Sequence, residues 1–338
     1  MKWIVTGGAG FIGTNLVGHL KDAGHQVIVI DDLSRNGVDA NATLLRERYD
    51  VDTHRVDVSD MTSLAAFLQE QDRFDAVAHL AGQVSLMESI RDPRRDFEVN
   101  ALGTLNVLEC VRLQAPEAAV IGMSSNKAYG DLGHVEIVEE ERRYVAPQWP
   151  MGFDESLPLD FHGPYGCSKG VADQYLADYA RTFGLRTASL RQSSVYGPHQ
   201  HPRADQGWVA HLTTEAVAGH PIQLNGIGKQ VRDLLHASDL ARLLVALADT
   251  IEPYEVNQFN VGGGPANALS ILELFDWLEA RLGQPVEYRT GQERPSDQRV
   301  FISDNARVQY KTGWRPQIGL DQGLGDLLGR ARGALPGA

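Results

Sequence analysis

The sequence predicts an α/β protein with a Rossmann doubly wound parallel sheet and a second, smaller mixed α/β domain. Short apolar runs alternate with amphipathic stretches of helical length through residues 1–192, which is the pattern of repeated strand–helix units around a parallel sheet. A glycine-rich stretch follows the first apolar run, and two acids follow the second. After residue 192 the alternation becomes irregular, which indicates a domain boundary.

The first predicted unit runs from residue 2 to Asp32. An apolar run at 2–6 predicts a buried strand, the glycine-rich stretch at 6–13 leads into a helix ending near Ala23, and residues 26–30 predict a second strand. Asp31 and Asp32 close that strand. The order strand, glycine-rich turn, helix, strand and acid is typical of dinucleotide binding.

The same unit predicts which dinucleotide binds. Glycines at 7, 10 and 13 permit a tight turn and let the backbone approach a pyrophosphate, whose charge the following helix N-terminus favours. Asp31 can accept hydrogen bonds from the adenosine ribose, and its carboxylate would repel a 2′-phosphate. We therefore expect NAD, rather than NADP, as the cofactor.

Four more apolar runs predict strands, at residues 52–57, 74–80, 119–123 and 186–190. Long helices are predicted at 99–115 and from Tyr165 to about Phe183. His79 lies inside an apolar strand and is expected to be a core histidine. Ligands of such a sheet bind at the carboxyl ends of its strands. The predicted cofactor contacts are therefore Gly7, Gly10, Phe11, Ile12, Gly13, Asp31, Asp32, Asp57, Val58, Leu80, Ala81, Gly82 and Asn100.

Beyond residue 192 the sequence predicts helices at 206–218, 238–250 and 270–282, and short strands at 221–224, 230–234 and 256–261. The last strand is expected to rejoin the main sheet. We expect a NAD-binding domain of residues 1–192 plus about 232–262, and a substrate domain of about 193–231 plus 263–338. The stretch 133–159 interrupts the pattern and predicts a functional loop near the active site or a subunit interface, with a solvated charged run at 139–143.

Composition narrows the class of function. The 338 residues carry a net charge of −13 and are 43% hydrophobic, as in a soluble protein without the basic surface of a nucleic-acid binder. No apolar run reaches the ~18 residues of a membrane span, and no signal-peptide pattern is present. We expect a cytoplasmic protein without nucleic-acid or membrane partners. Two cysteines and eleven scattered histidines show no ligand spacing, so no metal site is expected.

Tyr165 and Lys169 stand four residues apart in a predicted helix, which places them on one face. A phenol with a pKa of about 10 is a poor base at neutral pH, but a neighbouring ammonium favours the phenolate and lowers that pKa. Such a tyrosine can remove the proton of a hydroxyl while hydride leaves the same carbon. Taken alone, an exposed Tyr–Lys pair is common, so the weight of this one depends on the pattern upstream.

The glycine-rich stretch, Asp31, the strand end at Ser124-Ser125 and the pair Tyr165/Lys169 occur in this order. In this combination the chain resembles the extended short-chain dehydrogenase/reductase family, whose members keep NAD bound and oxidise a nucleotide-linked sugar transiently. The resemblance implies that Ser125 holds the reacting hydroxyl and that Tyr165 is the base. It implies that Lys169 binds the nicotinamide ribose, so that Tyr165 and Lys169 also contact the cofactor. A homodimer or homotetramer is expected.

Departures from the family patterns indicate the reaction. Asn126 and Lys127 follow Ser125 where sugar dehydratases carry two acids, so elimination of water is not expected. The runs at 124–131, 153–170, 191–194, 205–209, 228–233 and 296–299 are similar to those of epimerases that invert carbon 2 of a CDP-linked (deoxy)hexose. This similarity implies a nucleotide-sugar partner, whose diphosphate would be bound by Arg232 and Arg294. The implied substrate contacts are Ser85, Asn126, Ser193, Ser194, Gln206, Trp208, Arg232 and Arg294.

Three interpretations remain open. The first is a nucleotide-sugar epimerase acting at C2, with a UDP-glucose/galactose type 4-epimerase as its alternative. The second is a net oxidoreductase of the same fold, which must exchange its cofactor, whereas an epimerase can retain it. The third is a cofactor-sensing binding protein, against which Ser125 and the Tyr165/Lys169 pair count, because such proteins can lose these groups.

Overall fold

The computed structural model describes residues 1–203, 206–293 and 297–333. The strands in these ranges are β1 (Lys2–Thr6), β2 (Gln26–Asp31), β3 (Thr53–Arg55), β4 (Ala76–His79), β5 (Ala119–Ser125), β6 (Val138–Glu139), β7 (Tyr144–Val145), β8 (Thr187–Gln192), β9 (Ser194–Tyr196), β10 (Ile222–Gln223), β11 (Val231–His236), β12 (Asn257–Val261), β13 (Ala268–Ser270), β14 (Tyr288–Arg289) and β15 (Val300–Phe301). The α-helices are α1 (Phe11–Asp22), α2 (Val38–Tyr49), α3 (Met61–Gln69), α4 (Leu86–Arg91), α5 (Pro93–Phe97), α6 (Gly103–Gln114), α7 (Gly163–Phe183), α8 (Trp208–Ala218), α9 (Ala237–Thr250), α10 (Ile271–Leu282), α11 (Ala306–Thr312) and α12 (Leu320–Gly333).

Seven strands form one sheet in the order β12-β8-β5-β4-β1-β2-β3. Every neighbouring pair in it is parallel. The strand order reverses between β1 and β4, and in a doubly wound sheet such a switch point is where ligands bind. The predicted Rossmann-type fold is confirmed.

Helices cover both faces of this sheet because its strands are apolar on both sides. On one face, Leu16 of α1 and Leu244 of α9 pack with Trp3 of β1 in one buried cluster. On the other face, Leu108 of α6 and Leu176 of α7 pack with neighbouring strand residues. Full burial of each such side chain stabilises the fold by about 1.5–3 kcal/mol. The two clusters therefore hold in place the strand ends that carry the site.

The helices before and after β5 position the candidate catalytic residues. A π-helical turn at Glu98–Leu102 stands between α5 and α6, where the sequence predicts ordinary helix; such turns are frequent at functional sites. Helix α7 has Pro164 in its first turn and is followed by Gly184, which has a φ of +69°. Both are favourable positions for those residues. None of the helices in the three described ranges has the length and apolar character needed to cross a bilayer.

The smaller domain is built around β11. This strand pairs antiparallel with β13 and parallel with β15 and β9. Helices α8, α10 and α12 pack together through Leu212, Phe275 and Leu324. Strand β12 returns to the main sheet beside β8, as predicted.

The stretch 133–159 is fastened to the smaller domain. It contains the β6–β7 hairpin. Residues 139–141 of its charged run are exposed, as expected of a solvated run. The run also forms ion pairs that were not expected: Arg142 with Asp276, Arg143 with Glu273 at 3.6 Å, and Glu139 with Lys229 at 2.7 Å. These partners lie about 90 residues or more further along the chain, so local sequence could not reveal them.

Candidate active site

A cavity of about 450 Å³ lies at the carboxyl ends of β1 to β4. Of the predicted contacts, those lining it are Gly7, Gly10, Asp31, Asp32, Asp57, Val58, Leu80, Ala81, Gly82, Ser85 and Gln206. Lining residues that the sequence did not suggest include Ser34, Arg35, Gln83, Glu88, Arg95 and Val99. Phe11, Ile12 and Gly13 form the first turn of α1, directly behind Gly10. The cavity thus coincides with the expected dinucleotide position.

The glycine-rich loop fits a pyrophosphate. Gly7 has a φ of +64°, and a Cβ there would lie 2.6 Å from the backbone nitrogen of Ala81. A Cβ at Gly13 would lie 2.5 Å from the carbonyl oxygen of Gly7. Helix α1 begins after Gly10 without a side-chain cap, so its first N–H groups remain available to an anion.

Asp31 ties the end of β2 to this loop. Its Oδ2 accepts from the Ala9 N–H at 3.1 Å, and its Oδ1 accepts from the Leu33 N–H at 2.9 Å. Burial raises the pKa of Asp31, and the two backbone hydrogen bonds oppose that rise. Each carboxylate oxygen keeps a further acceptor site, which suits the hydroxyls of an adenosine ribose.

Arg95 connects the two other acids at the cavity. Its Nη2 lies 3.0 Å from Asp57 Oδ2 and 3.3 Å from Asp32 Oδ2. Burial alone would raise the pKa of Asp57, but hydrogen bonds from Ser59 and Arg95 leave it lowered. Sequence reasoning missed Arg95, because it lies 38 residues after Asp57 and 63 residues after Asp32.

Ser125, Tyr165 and Lys169 are brought together where β5 ends against α7. All three are buried. Burial raises the pKa of Tyr165 to about 12, and a hydrogen bond with the Ser125 side chain opposes the rise. Lys169 Nζ donates to the carbonyl oxygen of Met123 at 3.0 Å. Burial lowers the pKa of Lys169 to about 8, opposed by the charge of Asp96.

This geometry corrects one expectation. Lys169 was expected to lower the pKa of Tyr165, yet that pKa is raised, and the cation acting on it is Arg35. The reason is that Tyr165 leaves water on folding while the Lys169 ammonium is directed to Met123. The protein alone therefore holds Tyr165 as a phenol at neutral pH.

The trio adjoins the cavity through Gly82. A Cβ at Gly82 would lie 3.0 Å from Lys169 Nζ and 3.1 Å from Asn100 Oδ1. Asn100 is buried in the π-helical turn, donates to Gln83 O at 3.1 Å and accepts from Gln83 N at 3.0 Å. It thereby holds the loop after β4 in place beside Lys169.

His79 supports the same wall from the core. It lies between Thr6 and Thr104, at 2.8 and 3.1 Å. Burial, with a smaller effect of Lys169, lowers the pKa of His79 to about 3. The prediction of a core histidine is confirmed.

A polar cluster lies beyond Ser125. Asn126 Nδ2 donates to Gln298 Oε1 at 2.8 Å, and Gln298 returns a hydrogen bond to the Asn126 carbonyl at 2.9 Å. Lys127 Nζ and Arg232 Nη2 both meet Asp297 Oδ1, at 2.9 and 2.8 Å. Sequence reasoning assigned no function to Asp297 or Gln298, which lie about 170 residues from Lys127 and Asn126.

The remaining predicted substrate contacts are dispersed. Trp208 Nε1 donates to Ser194 Oγ at 3.1 Å, and Ser193 Oγ donates to the Asp233 carbonyl at 3.3 Å. Gln206 Oε1 accepts from Arg35, and Ser85 caps α4. Arg294 lies outside the described residues.

One exposed cluster was not anticipated. Asp131, Asp160 and His162 bring one potential ligand atom each to within 4.8 Å of one another. His162 Nε2 lies 3.1 Å from Asp160 Oδ2, so these groups pair on the surface.

Comparison with known proteins agrees with this geometry. The model of the NAD dependent epimerase/dehydratase family matches residues 3–262. The chain is 41% identical to CDP-paratose 2-epimerase of Salmonella typhi, over 96% of this chain and 97% of that protein. It is 30% identical to UDP-glucose 4-epimerase of Mycolicibacterium smegmatis, over 96% of each chain.

Among solved structures, the UDP-glucose 4-epimerase of Thermus thermophilus in complex with NAD superposes with a TM-score of 0.82 at 30% identity, covering 99% of this chain and 100% of that one. The expectation of NAD as the cofactor is confirmed by the family match. The chain belongs to the NAD dependent epimerase/dehydratase family.

Proposed function

We propose that the protein is an epimerase that inverts carbon 2 of a CDP-linked hexose by transient oxidation to a keto sugar. The observation that carries this proposal is the buried trio Ser125, Tyr165 and Lys169 beside the dinucleotide cavity, with Asn126 and Lys127 following Ser125. The similarity to CDP-paratose 2-epimerase over 96% of the chain supports the choice of sugar carbon and nucleotide.

The residues act on the reacting hydroxyl as follows. Ser125 Oγ and Tyr165 Oη hold it, and the Tyr165 phenolate accepts its proton as the C–H bond breaks and a carbonyl forms. NAD, when bound, would supply the hydride-accepting and hydride-donating chemistry. After the keto sugar turns its other face, Tyr165 gives the proton back to the carbonyl oxygen. Lys169 would contact the cofactor ribose.

The polar cluster beyond Ser125 suits the substrate diphosphate. Arg232 and Lys127 both contact Asp297, which brings two cationic side chains into one cluster. Arginine is suited to bidentate phosphate contacts. We propose that Arg232 and Arg294 bind the diphosphate, and that Ser85, Asn126, Ser193, Ser194, Gln206 and Trp208 line the sugar and nucleotide positions.

Elimination of water is not expected from this site. A dehydratase needs an added acid and base beside the reacting sugar, whereas Asn126 is bound to Gln298 and Lys127 to Asp297. We therefore predict no 4-keto-6-deoxy product from CDP-glucose or dTDP-glucose. Formation of that product at a rate comparable to epimerisation would contradict the assignment.

A UDP-sugar 4-epimerase is the second candidate, favoured by the 30% identity to UDP-glucose 4-epimerase. Tyr165 can deprotonate whichever hydroxyl is placed near it, so substrate placement decides between C2 and C4. Nuclear magnetic resonance of the protein with CDP-, UDP-, GDP- and dTDP-linked sugars identifies the inverted carbon. A sugar deuterated at C2 is expected to keep its label through inversion. Inversion at C4 with C2 untouched would make the protein a 4-epimerase.

The organisation of the chain is proposed from the same features. We assign the NAD-binding domain to residues 1–192 with α9 and β12, and the substrate domain to the smaller sheet with α8, α10 and α12. A cytoplasmic homodimer or homotetramer is proposed. Light scattering coupled to gel filtration tests the assembly, and a monomer at micromolar concentration would refute it; cell fractionation tests the location.

A further inference from the structure

Gln298 is a buried side chain of the smaller domain that reaches the chain directly after Ser125. It is 1% exposed and lies two residues before β15. Its Nε2 donates to the carbonyl oxygens of Asn126 at 2.9 Å and Gly130 at 2.8 Å, and its Oε1 accepts from Asn126 Nδ2 at 2.8 Å. Within the described part of the chain, the Gln298 amide therefore makes three hydrogen bonds to the segment that follows Ser125.

These hydrogen bonds determine how the Asn126 side chain is oriented. A carbonyl oxygen accepts hydrogen bonds but cannot donate them, so the Gln298 atom that faces both carbonyls must be Nε2. The Gln298 atom that faces the Asn126 side chain is then Oε1, which requires Asn126 to turn its Nδ2 towards it. The remaining atom, Asn126 Oδ1, accepts from Ser125 Oγ at 3.2 Å. Gln298 thus selects the atom of Asn126 that Ser125 contacts.

Two hydrogen bonds hold Ser125 Oγ as a result. It donates to Asn126 Oδ1, and it accepts from the Lys127 N–H at 3.2 Å as the N-cap of the 3₁₀ turn at Asn126–Tyr129. A serine side chain otherwise has three staggered positions about χ1. The two bonds favour the position in which Oγ meets both partners, so the place of the hydroxyl is set before a substrate binds.

The turn after Ser125 is held by the same glutamine. Gln298 Nε2 bonds to the carbonyl of Asn126 at the start of the turn and to that of Gly130 directly after it. A buried polar network is rigid when its members are hydrogen-bonded, and an apolar side chain in place of Gln298 would leave both carbonyls without this donor. The turn would then be free to shift and to carry the Lys127 N–H away from Ser125 Oγ.

Gln298 also adjoins the cluster proposed for the substrate diphosphate. Its neighbour in sequence, Asp297, contacts Lys127 Nζ at 2.9 Å and Arg232 Nη2 at 2.8 Å. Two consecutive residues of the smaller domain therefore meet the cationic cluster and the turn that orients Ser125. Contacts of this kind let the binding of a remote part of the substrate contribute to placing its reacting centre.

From these contacts we infer that Gln298 is a positioning residue for the proposed reaction, which holds Ser125 Oγ in place through the side chain and carbonyl of Asn126. Gln298 acts through Asn126 rather than on the reacting atoms. The inference rests on the proposed function, because Ser125 must hold the reacting hydroxyl. It does not depend on which sugar carbon is inverted.

The test is a double-mutant cycle between Gln298 and Ser125. The rate of inversion is measured by nuclear magnetic resonance, with the sugar nucleotide that the panel of CDP-, UDP-, GDP- and dTDP-linked sugars identifies as the substrate. Gln298→Met keeps an unbranched side chain of similar length but removes the three hydrogen bonds. We expect kcat to fall about tenfold and KM to change less than about twofold, because the hydroxyl is misplaced while the nucleotide contacts remain.

The cycle separates positioning from a merely structural role. In the Ser125→Ala background no hydroxyl is left to position, so Gln298→Met should lower kcat further by less than about twofold. The same tenfold loss in both backgrounds would show a structural role and overturn the inference, as would a kcat of Gln298→Met within about twofold of the parent. Gln309→Met, which changes an exposed glutamine of α11, is the matched control and is expected to leave kcat and bound NAD unchanged.

Gln298→Glu serves if Gln298→Met does not fold, because a carboxylate accepts from Asn126 Nδ2 but cannot donate to the two carbonyls. Should neither variant fold, the same cycle with Asn126→Ala decides, since that change interrupts the path from Gln298 to Ser125. Losses that add to those of Ser125→Ala would overturn the inference. A parent protein that inverts none of the sugars would refute the proposed function and this inference together, whereas additive losses in an active parent overturn the inference alone.

Discussion

Replacing Ser125 with alanine tests the electrostatics of Tyr165 directly. Ser125 is 5% exposed and Tyr165 is 8% exposed, so water does not readily replace the lost hydrogen bond. The Ser125 side chain lowers the pKa of Tyr165, and its removal must raise that pKa. If Tyr165 acts as the phenolate, as we propose, turnover below its pKa falls tenfold for each unit of that rise.

The size of the expected pKa shift follows from the strength of the hydrogen bond between Ser125 and Tyr165. A hydrogen bond to a charged group contributes about 1.5–3 kcal/mol, and one pKa unit corresponds to about 1.4 kcal/mol. The pKa of Tyr165 is therefore expected to rise by about one to two units. Turnover of Ser125→Ala at pH 7 should fall about 10- to 100-fold, and the acid limb of its pH profile should move to higher pH by the same one to two units.

The assay is the rate of inversion by nuclear magnetic resonance at saturating CDP-sugar from pH 6 to pH 10, with bound NAD quantified after denaturation. Ser63→Ala, which changes an exposed serine of α3, is the control. Bound NAD should be unchanged in both variants. Because the pKa of Tyr165 is about 12, above the assayed range, the loss should have the same size at every pH. Turnover within about threefold of the parent would refute the reasoning.

Three further outcomes are expected. Tyr165→Phe should lose about 10²–10⁴-fold in turnover while keeping its NAD; near-normal turnover would remove it as the base. Gly7→Ala should lose NAD and at least about 1–2 kcal/mol of stability. This loss should exceed that of the control Gly24→Ala, because Gly24 shares a positive φ but has open space around it. Equal losses of stability would show that the contact with Ala81 is unimportant. Arg191→Met should lower the free energy of unfolding, measured in urea, by about 3–5 kcal/mol. The reason is that Asp173, which is 0% exposed, loses the guanidinium that lies 2.7 Å from it. A loss below about 1 kcal/mol would contradict this.

The parts of the site that could be predicted are those that local sequence encodes. Glycines at fixed spacing, an acid at the end of the second strand and two side chains one helical turn apart are local patterns, and the structure places Gly7, Asp31 and Tyr165 accordingly. The start of α10 at Ser270 could be predicted in the same way, and its capping box with Glu273 is present.

What could not be predicted depends on burial and on contacts distant in sequence. Arg95 and Asp297 reach their partners across 38 and 170 residues, and no spacing rule links them. The pKa of Tyr165 depends on how much water the folded chain removes, which a helical face alone does not reveal.

The π-helical turn at Glu98–Leu102 has a consequence for how this region tolerates insertions and deletions. Each residue of an α-helix rotates the chain by about 100° about the helix axis. The wider π-helical turn holds its residues without the full rotation that an α-helix would give them. Asp96 and Asn100 lie before or within the turn, and Thr104, which meets His79, lies after it. Deleting one residue from the turn would restore the regular helix and rotate Asn100 away from Gln83 while Thr104 stayed in the core. Length changes in this segment should therefore abolish cofactor binding even where the helix itself survives.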